Sequence, residues 1–126
     1  MGGLKTLLVG LLLVALLPGR SLAIGDLPST FADCTGRFSA AMEHAWLVQD
    51  PRADEFEGYR DAFEALLDAV AGPADRDLLA RRIDAKAAQA RLLLQARFGG
   101  DGDESDWART RAGRHLATCR MLLLGG

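Results

Sequence analysis

Cys34 and Cys119 are the two residues of this sequence whose chemistry is easiest to specify. They lie too far apart to form the C-x-x-C pair of a redox centre, where the two thiols are near neighbours. A long-range pair suits a structural disulfide. Closing a loop of that size stabilises a fold by roughly 4 to 5 kcal/mol in the chain-entropy model. The competing reading is two buried free thiols, since cysteine is often simply a small core residue.

The remaining candidates are weaker. His44 and His115, with Met42 as a soft ligand, have the donor types of a copper site. However, His44 lies about one turn from the end of its predicted helix and His115 more than two turns into another, an offset of several ångströms. There is no Glu-x-x-His pair for a di-iron centre and no C-x-x-C-H for haem. The run Asp101 to Asp106 begins like a calcium loop, but its sixth position is Asp106 where glycine is needed. Its twelfth is Ala112, where a bidentate glutamate should close the site. Ser39 and Thr110 have no base beside them in a triad pattern. No metal, no cofactor and no enzymatic activity is therefore expected.

The aromatic residues offer a different chemistry. Trp46, Phe56, Phe98 and Trp107 all fall near helix ends. In an alternating bundle they map to one end, either filling the core there or forming a ligand or partner site. Arg109, Arg111 and Arg114 make the last helix locally basic, and Arg81-Arg82 do the same for the third. These arginines are expected mostly on wet faces, paired with carboxylates such as Asp77 and Asp84. Docking of an acidic partner is the sharper alternative.

Amphipathic helices must position these groups. The first runs from Ser29 or Thr30, either of which can cap it, to about Gln49, with Phe31, Cys34, Phe38, Ala41 and Ala45 as its stripe. Asp50-Pro51 ends it. The second opens on Asp54, Glu55 and Glu57 and carries Phe56, Tyr59, Phe63, Leu66 and Val70. After Gly72-Pro73 the third spans about 73–98, its stripe Leu79, Ile83, Ala87, Ala90 and Leu94, widened by Leu78, Leu92 and Leu93. A loop over 99–103 leads to the fourth, capped by Ser105 or Asp106, with Ala108, Ala112, Leu116, Cys119 and Leu123 facing inward. Nothing reads as a strand.

Short loops between four such helices favour an all-α, up-down-up-down four-helix bundle. The first and last helices are then antiparallel, with Cys34 and Cys119 at nearly matching heights, so the expected disulfide links them. Residues 1–23 read as a cleaved signal peptide: Lys5, the apolar run from Leu7 to Leu17, a Pro18-Gly19 break, and Ser21-Leu22-Ala23 before the cut. Residues 24–126 form the bundle domain. No membrane span is expected after cleavage, and the apolar run is shorter than the roughly 20 residues a spanning helix needs. The formal charge is −2, and cleavage leaves 13 basic against 17 acidic residues. That balance disfavours nucleic acid as a partner. The expectation is a periplasmic or secreted helical protein that binds another exported protein or an envelope component, its oligomeric state open. The alternative is a small-ligand carrier or sensor using the aromatic end.

Overall fold

Asp50-Pro51, Gly72 and the glycine-rich stretch at 99–102 interrupt the helical pattern, and the helices stop there. The computed structural model describes residues 27–72 and 74–125, which form α1 (Leu27–Val48), α2 (Ala53–Ala71), α3 (Arg76–Phe98) and α4 (Asp103–Leu123). No strand occurs among the described residues. The expected signal segment, residues 1–23, lies outside them. None of the described helices is long and apolar enough to cross a membrane.

The helix ends follow local chemistry, with two differences from the expected caps. At the end of α1, Gln49 takes a left-handed conformation (φ 58°). The Asp50 N–H then donates to the Ala45 carbonyl (2.8 Å) and the Gln49 N–H to that of Trp46 (3.4 Å). These two bonds are the Schellman pattern, which satisfies carbonyls that the helix leaves open. The Asp75 carboxylate caps α3 by accepting from the Leu78 N–H (3.1 Å). Neither Ser29 nor Thr30 caps α1, because the helix already begins at Leu27. Likewise α4 begins at Asp103, so Ser105 and Asp106 sit inside its first turn, where the acidic residues suit the helix dipole.

Contacts between helices fix their directions. Phe31 meets Phe63 and Phe38 meets Phe56, so α1 and α2 are antiparallel (ring centroids 6.2 Å apart in each pair). Gln89 reaches Ala112 and Arg109 reaches Ala96, which makes α3 and α4 antiparallel. The disulfide joins α1 to an antiparallel α4, with a Cα–Cα distance of 5.7 Å, inside the usual span of such bonds. The chain is thus an all-α, up-down-up-down bundle with its first and last helices linked.

Within that order α1 is the central element and packs on all three other helices. Its aromatic side carries Phe38, which lies between Phe56, Tyr59 and Phe63. Phe38 and Phe63 are fully buried. Its small side faces α3, where Gly36 lies against the backbone at Arg82 and Lys86. Thr35 and Ser39, both buried, donate to the carbonyls one turn back, those of Phe31 (2.7 Å) and Thr35 (2.8 Å). Those bonds remove the cost of two buried hydroxyls.

The third helix corrects the expected pattern. Its predicted stripe is not buried: Leu79 is 55% exposed, Ile83 56% and Leu94 44%. The packed side instead carries half-buried Arg82, Ala85, Lys86 and Leu93 around the one fully buried residue, Gln89. Arg82 donates to Glu64 of α2 (3.2 Å) and Lys86 to Glu43 of α1 (2.6 Å), while Arg81 pairs with Asp33 of α1 (2.9 Å). These pairs between helices replace the expected partners Asp77 and Asp84. Long basic side chains can cover a neighbouring helix with their methylene stems while the charged head stays wet.

Candidate functional site

The four aromatics expected at one end do share that end, but they do not converge. Phe56 belongs to the core, with the Arg52 guanidinium over its ring (5.3 Å). Trp46, Phe98 and Trp107 are 53%, 64% and 58% exposed. The core reading therefore fails for these three. Trp107 is covered on one side by the Arg111 guanidinium, 5.5 Å from its ring. The other three-arginine member, Arg109, turns the opposite way, donating to Asp106 (2.8 Å) and to the Ala96 carbonyl (3.1 Å).

Arg109 thereby lines the feature that sequence reasoning missed. Where the end of α1, the 49–52 turn, the last turns of α3 and the start of α4 come together, they leave an open cleft of about 460 Å³. His44, Asp50, Arg52, Arg97 and Arg109 supply its polar lining, and Val48, Leu93 and Ala96 its apolar part. No motif announces it, because its arginines come from three different segments. The turn positions two of these groups. Asp50 and Arg52 form a bidentate pair (2.8 and 3.1 Å), and the same carboxylate accepts the Arg52 N–H (2.9 Å).

The electrostatics follow from that geometry. The Arg52 hydrogen bonds pull the Asp50 carboxyl down to about 2, and Asp50 in turn raises the Arg52 guanidinium. His44 is lowered, first by burial and then by the positive charge of Arg97, with Asp50 acting against both. Arg97 has no hydrogen bond or ion pair among the described residues. At neutral pH the cleft is thus lined by three guanidinium groups, of which Arg52 is paired with Asp50 and Arg109 with Asp106, leaving Arg97 as the one without a carboxylate partner among the described residues. Guanidinium forks match carboxylate and phosphate oxygens in shape and charge.

The remaining candidates have separate surroundings. His115 lies against Gln89, whose side-chain nitrogen donates to the Ala112 carbonyl (3.1 Å), so its oxygen accepts from His115 Nδ1–H (3.2 Å). Met42 takes a contact from Arg60 Nη1 (3.3 Å) through its sulfur. Cys34 and Cys119 are spent in the disulfide, and both are buried. Among the described residues no three His, Cys, Asp or Glu side chains gather as a metal site would need. No protein-family model, no curated protein and no solved structure matches this chain.

Proposed function

We propose that the chain is an exported, non-enzymatic binding module that engages an acidic segment of another protein at the arginine-lined cleft. The observation that carries this reading is the convergence of Arg52, Arg97 and Arg109 on one cleft, where Asp50 and Asp106 pair with the first and last and Arg97 has no carboxylate partner among the described residues. Exposed Trp46, Phe98 and Trp107 stand around the same end of the bundle. Arginine and tryptophan are the residues that most often dominate binding energy at protein interfaces. Export is supported by the signal-like pattern of residues 1–23 and by a disulfide, which persists in oxidising compartments. The carrier alternative has less support, because Phe56 is committed to the core and the other three aromatics line no common cavity among the described residues.

A glutamate-rich peptide is the probe. Titrated at low salt and followed by tryptophan fluorescence or calorimetry, it should bind the exported protein and weaken as salt rises, as exposed charge attraction requires. Arg97→Glu should weaken it about ten-fold or more while helical content stays constant. Absence of binding, or binding indifferent to Arg97→Glu, would sink the proposal. Non-covalent small-molecule mass on the native protein would instead promote the carrier.

A further inference from the structure

The uncovered face of α3 has an internal symmetry. Leu79, Ile83, Ala87, Ala90, Leu94 and Phe98 fall within an arc of about 100° at 3.6 residues per turn. The steps between them are four, four, three, four and four, the same from either end. All are exposed except Ala90, which is half-buried. Leu47 of α1, 65% exposed, stands beside this face, and with Ala90 and Leu94 it lines an open groove of about 160 Å³.

A second copy of α3 laid antiparallel on the first matches this pattern. Leu79 then lies opposite the partner's Phe98, Ile83 opposite the partner's Leu94, and Ala87 opposite the partner's Ala90. The two alanines at the centre let the helix axes approach closely, and the larger side chains fill the space toward the ends. The groove beside Leu94 receives an aliphatic side chain from the other copy. Charge agrees with this register. Asp84 and Arg91 are two turns apart on the same edge of the apolar face, and neither has an ion-pair partner among the described residues. In an antiparallel pair, residues on one edge face the same edge of the other helix, which brings Asp84 to the partner's Arg91 and repeats the contact by symmetry. A two-fold, self-complementary interface has this reciprocity.

We infer that the protein forms a two-fold dimer through α3, each copy covering the apolar face of the other. The face is about 28 Å long at helical rise. A single helix pair of that length buries less than the roughly 800 Å² per partner of a standard interface, so association should be in the micromolar range. Phe98 stands at the same end as the arginine cleft, and His44 lines both the cleft and the groove beside Leu94. The two readings are therefore separated by Ile83→Glu, which lies outside the cleft and should leave binding of the glutamate-rich peptide unchanged.

Sedimentation equilibrium of the exported protein across micromolar concentrations is the test. A reversible dimer is expected. Ile83→Glu, at an exposed position, should weaken it about ten-fold or more with the helical spectrum unchanged, because a carboxylate would be buried in the seam. Asp84→Arg and Arg91→Asp should each weaken it, and the two together should restore it to near the original value. A protein that stays monomeric, a dimer untouched by Ile83→Glu, or a double exchange no better than the single ones overturns the inference. A monomer that sediments with lipid vesicles through this face overturns it as well.

Discussion

Gly36 of α1 lies so close to α3 that a Cβ at that position would overlap the Arg82 carbonyl oxygen and press on the Lys86 nitrogen. Both are backbone atoms, and neither can swing aside. Gly36→Ala should therefore destabilise by about 2 kcal/mol even after the roughly 1 kcal/mol that alanine contributes to helix propensity. Gly58 is the control, since a Cβ there meets nothing within 4 Å. Gly58→Ala should stabilise by about 1 kcal/mol. Urea midpoints of the two variants should move in opposite directions, and a Gly36→Ala midpoint at or above the parent's would contradict the close approach of α1 to α3.

The disulfide joins positions 85 residues apart. Replacing Cys34 and Cys119 together with alanine should lower stability by about 4 to 5 kcal/mol if the effect acts mainly through the unfolded chain. The check is denaturant unfolding of the double variant beside the oxidised parent. A loss under about 1 kcal/mol would mean that packing alone holds α4 to α1.

Ser105 is almost wholly buried, and its hydroxyl has no hydrogen-bond partner among the described residues. Removing an unsatisfied buried hydroxyl relieves a desolvation cost of about 1 to 3 kcal/mol. Ser105→Ala should raise the urea midpoint, the gain trimmed by the small void it leaves. A lower midpoint would show that the hydroxyl is satisfied in solution.

Both histidines are held below the usual imidazole value. His115 is lowered first by burial and then by Arg37 and Arg111, as His44 is by burial and Arg97. The folded protein then binds a proton less readily than the unfolded chain. Stability is fully present above pH about 6.5 and falls as acid titrates the unfolded histidines first. A second loss is expected as pH drops from 3.8 toward 2, where Asp50 gives up its pairing with Arg52. The double variant His44→Gln/His115→Gln should flatten the first step and leave the second, as read by thermal melts across pH.

Two of the four helices were legible because their inward faces are uniform in kind, whereas on α2 the expected Leu66 and Val70 are 37% and 48% exposed and Leu67 is buried in their place. Phe31, Cys34, Phe38, Ala41 and Ala45, and equally Ala108, Ala112, Leu116 and Cys119, repeat at helical spacing with polar residues between them, and all except half-buried Phe31 are buried in the structure. On α3 two faces competed. The more apolar one, Leu79 to Leu94, is open, whereas the packed one holds Arg82, Lys86 and Gln89. Periodicity cannot favour such a face, since what qualifies it is a set of partners on other helices: Glu64, Glu43 and the Ala112 carbonyl. The cleft was hidden for a similar reason. Arg52, Arg97 and Arg109 become neighbours only when the 49–52 turn is folded against the ends of α3 and α4.

The turns at 49–52 and 99–102 and the exposed residues 74–75 ahead of α3 all lie between Cys34 and Cys119 in the chain. The bond thus converts most of the described polypeptide into a closed covalent ring. A protease that cuts one of these exposed turns opens the ring without releasing a fragment, and the helices on either side of the nick remain tethered through sulfur. The protein is in this sense built to survive a first cleavage as one molecule, which matters where hydrolytic enzymes share its compartment.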